Sequence, residues 1–251
     1  MMSLPAYIER VTEAQSIEEL WDMHQAQMAE FGFDRILYGF TRYMTQSSLG
    51  DPNDLVILTN HDPKYISHFI DNGLYFHAPM VNWARNNDGA ASWDMIRQME
   101  SSGALSASER KVLEFNQKMD VTAGYTVSFK SVSARSKGAI ALTCAPGVSQ
   151  TDADEMWARH GKNIVLMNNV AHLKIISLPY TGARSLTKRQ REVLEWVGDG
   201  KTTQDIATLM GLTAATVEKH LRLARESLDV DTTAQALLKV AFQNQMFVLE
   251  A

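Results

Sequence analysis

The last quarter of the chain constrains its fold most, because short helical segments there are punctuated by single glycines. Thr187 is placed to cap a helix over Lys188–Asp199 whose apolar residues Val193, Leu194 and Val197 recur at helical spacing, and Gly200 ends it. A second predicted helix, about Thr203–Met210, sets Ile206, Ala207 and Met210 on one face, and Gly211 supplies the residue most tolerant of a left-handed turn. Thr213 then caps a longer helix with Ala214, Val217, Leu221, Ala224 and Leu228 as its buried face, and a last helix is expected from about Thr233 to Met246. Four such helices suffice for a small independent domain, taken as residues 186–251.

Helix, short glycine-containing turn, helix is the spacing of a helix-turn-helix, whose second helix lies in the major groove of duplex DNA. On that second helix Ala215, Thr216, Glu218, Lys219, Arg222 and Arg225 fall outside the apolar stripe, with Thr213 at its start. Lys219, Arg222 and Arg225 suit phosphates or guanine edges, Glu218 suits a cytosine amino group, and the small Ala215 allows close approach. Lys201, with Lys188, Arg189 and Arg191, would add charge that neutralises the DNA backbone. The plainer reading of the same pattern is a helical bundle with a solvated charged face.

Charge does not separate these two readings. The formal net charge of −5 and pI near 5.8 belong to the whole chain, but from Arg184 onward nine Lys/Arg face nine Asp/Glu, so the excess acid lies upstream. The single cysteine, Cys144, rules out an internal disulfide and reads as a small buried apolar residue in a reducing compartment. No stretch is apolar enough to span a bilayer, and the start lacks a basic segment followed by an apolar run, so a cytoplasmic protein with no membrane partner is expected. No nucleophile elbow, glycine-rich phosphate loop or metal-ligand spacing occurs, so neither an enzyme nor a cofactor or metal is expected.

Upstream, amphipathic helices are predicted around Tyr7–Thr12 and Ile17–Phe31, the second with Ser16 and Glu19 at capping-box spacing. Alternation over Arg35–Tyr43 indicates a strand with Ile36, Tyr38 and Phe40 on one side, and Leu55–Thr59 indicates another. Pro63–Asn72 and Pro79–Asn86 read as helices with proline in the first turn, and Ser106 with Glu109 opens one that runs to Met119. Gly124–Ser131 and Gly138–Cys144 read as a hairpin, and a long helix over Thr151–Leu173 closes the region. Strands in antiparallel-compatible succession with helices at both ends give an α+β fold, an α/β/α sandwich over residues 1–174. Residues 175–185, with Pro179 and Gly182, read as a linker.

Leu186-Thr187-Lys188-Arg189-Gln190-Arg191-Glu192-Val193-Leu194, then Trp196, Gly200-Lys201-Thr202, Ile206-Ala207 and Thr216-Val217-Glu218-Lys219-His220-Leu221, closely resemble the DNA-binding domain of the LuxR family. The resemblance implies a four-helix module whose third helix reads DNA and whose fourth helps form a homodimer. Gln190 departs from it, standing where the family usually has Glu.

The order of upstream elements resembles the autoinducer-binding domain of the quorum-sensing members of that family. There the resemblance implies that a Trp, a Tyr, an Asp, a second Trp and a Gly surround an acyl-homoserine lactone, the Asp accepting from the ligand amide N–H. Those positions fall here on Tyr65, Phe69, Ala78, Trp93 and Gly124, of which only Trp93 and Gly124 match. Ala78 offers no acceptor, and burying an unpaired amide costs about 1–3 kcal/mol, so an ordinary homoserine lactone is disfavoured. The expectation is another small, largely apolar ligand, with any donor answered by His61, His77 or Thr143. Tyr38, Phe40, the strands Gly124–Ser131 and Gly138–Cys144 and the methionines would line the cavity. The alternative is that these aromatics simply fill a core and that the N-terminal region is a dimerisation or partner-binding scaffold working without a ligand.

Overall fold

The computed structural model describes residues 2–46, 48–180 and 185–246. The chain divides into two compact units, one of residues 1–50 and 55–175 and the other of residues 51–54 and 176–251.

The first unit is built on a five-stranded antiparallel sheet. Strands β1 (Phe33–Thr41), β2 (Val56–Thr59), β3 (Gly89–Ser92), β4 (Gly124–Ser128) and β5 (Lys137–Cys144) lie in the order β2-β1-β5-β4-β3. Helices α1 (Leu4–Glu13), α2 (Ile17–Ala29) and α7 (Gln150–Ile175) cover one face. Helices α3 (Pro63–Ile66), α4 (Pro79–Asn86), α5 (Asp94–Ser101) and α6 (Ala107–Lys118) surround the other. This is the expected α/β/α layering around an antiparallel sheet. The predicted helix over Pro63–Asn72 continues past α3 only as a π turn, Ser67–Asp71, and a 3-10 turn follows over Leu74–His77. Strand β3 has no counterpart in the sequence reading, because Gly-Ala-Ala-Ser carries no β-branched or alternating signal. Its backbone is recruited by pairing with β4, Ala90 opposite Val127.

On the α1/α2/α7 face the buried histidines pair with neighbouring polar groups. Asn168 Nδ2 donates to the Ile164 carbonyl, which turns Oδ1 toward His24 Nε2 at 3.1 Å. His24 Nε2 is therefore the donor, and Nδ1 accepts from the Tyr7 hydroxyl at 2.7 Å. Tyr38 reaches His172 Nδ1 at 2.9 Å, and the His172 ring stacks on Phe129 at 4.1 Å. Burial holds both histidines down at about 4 and so neutral. Cys144 is buried and free, and burial pushes its thiol up to about 11, as suits a packed apolar residue.

In the second unit α8 (Lys188–Gly198), α9 (Thr203–Met210), α10 (Ala214–Leu228) and α11 (Thr233–Phe242) close on Val193, Leu194, Ile206, Val217, Leu228 and Val240. Threonines cap all four helices, Thr187, Thr202, Thr213 and Thr232 each accepting from a backbone N–H three residues on. Gln190 explains its own departure from the family pattern. It is buried, and its Oε1 accepts from the Thr187 N–H at 2.8 Å to complete a capping box. That bond needs an oxygen acceptor and no charge, so an amide serves. At the α9–α10 turn Gly211 sits at φ +65°, and the Leu212 N–H reaches back to the Ala207 carbonyl. Lys239, also buried, donates to the Leu228 carbonyl at the end of α10.

Residues 176–180, read from the sequence as part of a linker, are instead tied to the end of this unit. Asn244 Nδ2 donates to the Ile176 and Leu178 carbonyls, and Tyr180 exchanges bonds with Gln243 and Gln245. Side-chain amides hold backbone there, a pairing that leaves no apolar pattern in the sequence. The remaining linker residues 181–184 and the tail 247–251 lie outside the described residues. Helix α11 ends at Phe242, short of the expected Met246.

Candidate ligand cavity and nucleic-acid interface

Between the sheet and helices α3 to α6 lies a cavity of about 190 Å³. It is on the scale of an apolar cavity of about 150 Å³ that admits benzene. Strand alternation decides which β1 residues reach it: Leu37, Gly39 and Thr41 face the cavity, while Tyr38 turns to the opposite face against Trp21 and His172. The sequence grouped Tyr38 with Phe40 correctly as same-side residues but placed that side on the cavity. Both faces of β1 are covered by helices, so periodicity separates the two sets without saying which one lines a void. Phe40 does border the cavity, although its ring packs on His172.

Of the residues expected around a ligand, Tyr65, Phe69, Ala78, Trp93, His61 and Thr143 all lie on the wall. Tyr65 stacks between His61 at 4.5 Å and Phe69 at 5.2 Å, and its hydroxyl donates to Asn116 Oδ1 at 3.2 Å. Trp93 donates its indole N–H to Thr126 Oγ1 at 2.9 Å. His61 and Thr143 face each other at 3.4 Å, and burial, with Arg35 nearby, lowers His61 to about 4. His77 is exposed at the end of the 3-10 turn and takes no part in the wall.

Gly124 is likewise not a wall residue. A Cβ there would stand 2.1 Å from the Leu142 carbonyl oxygen and 3.1 Å from Trp93, so the glycine lets β4 and the indole close together. Its backbone is clasped by Gln150, which accepts from the Gly124 N–H and donates to its carbonyl. Of the methionines expected to line the cavity, Met80 alone does so among the described residues.

Among the polar wall residues, Asn116 and Tyr75 were not expected there, whereas Thr126 falls within the strand Gly124–Ser131 expected to line the cavity. Thr126 lies two residues past Gly124 on that strand, so alternation turns it toward the cavity. Asn116 has no such signal, because only the packing of α6 brings it opposite Tyr65. Tyr75 is buried with a hydroxyl that has no partner among the described residues.

In the helical unit, α10 buries Val217, Leu221, Ala224 and Leu228 and leaves Ala215, Glu218, Lys219 and Arg222 exposed. Thr213 caps the helix and shares a hydroxyl contact of 2.9 Å with Thr216. Glu218 accepts from Thr203 of α9, and Arg222 pairs with Glu226 one turn on. Arg225 is half-buried and donates to Thr233 of α11 at 3.0 Å, so its guanidinium is partly engaged in holding helices together. Lys201 is exposed in the turn before α9. Lys219 and Arg222 of the second helix are turned outward while its apolar side holds the bundle.

An apolar cavity beside a sheet in one unit and a helix-turn-helix with an outward polar face in the other define a transcription regulator equipped to sense a small molecule. Residues 16–175 match the model of the autoinducer binding domain, and residues 184–240 match that of the bacterial regulatory proteins of the luxR family. The chain belongs to the LuxR family and carries its autoinducer-binding domain. It is 23% identical over 189 residues to the transcriptional activator protein LuxR of Aliivibrio fischeri (strain ATCC 700601 / ES114), covering 74% of this chain and 73% of that one. It is 23% identical over 228 residues to the transcriptional activator protein AnoR of Acinetobacter nosocomialis, covering 88% and 90%. These relatives are transcriptional regulators and not enzymes. Among solved structures, SdiA of Escherichia coli matches with a TM-score of 0.51 at 16% identity over 98% of both chains. SdiA in complex with octanoyl-rac-glycerol matches with a TM-score of 0.52 at 15% identity over 97% of both. No helix among the described residues is long and apolar enough to cross a membrane.

Proposed function

We propose that this chain is a homodimeric, cytoplasmic regulator in which residues 1–174 bind a small, largely apolar molecule other than an ordinary acyl-homoserine lactone, and residues 186–251 bind duplex DNA through α10. One observation carries the ligand reading: among the described residues no Asp or Glu lines the cavity, and the wall position expected to supply a carboxylate is Ala78. The Tyr65 hydroxyl is already committed to Asn116, and Phe69 has no hydroxyl to offer. A lactone's amide N–H would enter a wall without its acceptor, at a cost of about 1–3 kcal/mol or roughly five- to 150-fold in affinity. SdiA, which shares the fold, is described with octanoyl-rac-glycerol, an ester with no amide N–H. The void itself argues against a filled scaffold core.

For DNA, Lys219 and Arg222 are the exposed groups aimed at phosphates and base edges, with Ala215, Thr216 and Glu218 beside them on the helix. Lys201 adds backbone contact, while Thr213 and Arg225 chiefly place the helix. A homodimer presents two such helices to two half-sites, and ligand binding acts by shifting how often the pair adopts the DNA-competent arrangement. Thermal unfolding of the full chain with octanoyl-rac-glycerol and with N-octanoyl homoserine lactone tests the ligand reading. The ester raises Tm more than the lactone; a larger shift with the lactone refutes it, and no shift with any extract of culture medium favours the scaffold.

A further inference from the structure

We propose that the Tyr75 hydroxyl is the polar anchor of the cavity, donating to a hydroxyl or carbonyl oxygen of a neutral, mostly apolar ligand. This rests on the ligand-binding reading above and specifies which atom of the wall does the recognising. Tyr75 lines the cavity, is 4% exposed, and its hydroxyl meets no hydrogen-bond partner among the described residues.

The other buried polar side chains of the wall each face a partner, and Thr122, also on the wall, is exposed. Tyr65 donates to Asn116, Trp93 to Thr126, Thr41 to the Leu49 carbonyl, and His61 faces Thr143. At the more open margin Arg85 donates to the Gln46 carbonyl and Lys137 pairs with Asp88, while Arg97 is solvent-exposed. A buried hydroxyl without a partner is an exception among folded proteins and marks a place where something else completes the bond.

Position and chemistry narrow the class. Tyr75 sits in the 3-10 turn three residues before Ala78, whose N–H donates to the Tyr75 carbonyl, so the phenol and the Ala78 methyl belong to the same stretch of wall. Its ring is held by stacking on Phe76 at 4.2 Å. Burial raises the phenol above its usual range, so it stays protonated and donates. A phenol oxygen is a weak acceptor, since the ring draws on its lone pair. This end of the cavity therefore receives a ligand oxygen, where the family pattern would have answered an amide N–H.

The test uses the full chain and two fluorescent probes that differ by one hydroxyl, 2-naphthol and naphthalene, titrated into the wild type and Tyr75→Phe. The ratio of the two affinities falls roughly two- to tenfold in Tyr75→Phe, the worth of one net hydrogen bond, while naphthalene binding holds. The ligand-free Tyr75→Phe protein melts at or above the wild-type Tm, because the hydroxyl has no partner to lose. An unchanged ratio with both probes bound overturns the role of Tyr75 and leaves the cavity reading standing. Failure of both probes to bind the wild type overturns the cavity reading together with this one. Tighter binding of 2-naphthoate than of 2-naphthol overturns the assignment of a neutral ligand, and a Tm lowered by several degrees in Tyr75→Phe shows the hydroxyl to be structural.

Discussion

Along α10 the apolar residues Val217, Leu221, Ala224 and Leu228 are spent on packing, and the polar residues between them are left to solvent. Along β1 both sides are covered: Tyr38 packs against α2 and α7, while Leu37 and Gly39 meet a cavity. The helical unit thus carries its binding surface outside its core, and the sheet unit carries one inside. A surface outside the core can be altered with little loss of stability. A surface inside it shares its walls with the packing that holds the unit together, so binding and stability are coupled there.

Acid exposes this difference most strongly. His24 and His172 are held at about 4 in the folded sheet unit against an ordinary 6.5. As pH falls below 6.5 the unfolded chain takes up protons that the folded chain refuses, so stability is lost progressively and the loss levels off below about 4. Each histidine contributes about 3 kcal/mol to that loss. Urea unfolding at pH 7 and pH 4.5 checks it, and equal midpoints for the sheet unit would break the contrast. In the helical unit the bonds from Thr202 hold the Asp205 carboxylate below its usual 3.8, so that contribution is lost only at more acid pH.

Gly124→Ala comes next, because the new Cβ meets a backbone carbonyl and not a flexible side chain. A loss of about 2–3 kcal/mol is expected in denaturant unfolding. A near-neutral result would show that β4 and Trp93 need no such close approach. Outside the core, Arg222→Ala should leave Tm unchanged yet cost roughly 1–3 kcal/mol of discrimination at one base step. Footprints identical to wild type would reject α10 as the reading face.

Ala78→Asp sharpens the comparison from within, restoring an acceptor on the wall with up to about 1–3 kcal/mol of lactone binding. Ala78 is also the uncapped N-cap of α4 and is buried, so capping by the new carboxylate and the cost of desolvating it act on stability in opposite directions whatever the ligand. The deciding measurement is therefore a reporter response to a lactone panel, where no gain counts against the mapping of Ala78 onto the acceptor position. The smallest effect is expected at Gln190: Gln190→Ala loses a capping bond worth about 1 kcal/mol, whereas Gln190→Glu stays within about 0.5 kcal/mol in thermal unfolding.

The helical unit was almost wholly legible beforehand. Its caps, its glycine turn and its outward polar residues are each local consequences of residues a few positions apart, and α9 begins and ends where the pattern put it. In the sheet unit the long elements were legible, with α4 matching its predicted span. What escaped was β3, with no side-chain signal of its own, helix α5, the π turn after α3, and half the logic of the cavity. Tyr38 and Gly124 were read as wall residues when one faces α7 and the other makes room for Trp93. Asn116 and Tyr75 went unread as wall residues because the meaning of the first depends on a partner far away in the chain and that of the second on having none.

By itself the amino-acid order settled where most helices start, which of their faces are apolar, that the chain carries a helix-turn-helix, and that Ala78 carries no acceptor. These follow from short-range chemistry: a hydroxyl within reach of a backbone N–H, a glycine at a positive φ, an apolar residue recurring every turn. Which side of a doubly covered strand borders empty space, and which hydroxyl of its wall is left without a partner, was decided only when the layers came together. Voids and unpaired groups are properties of the whole packing, since each exists only as what remains after all the neighbours have been placed.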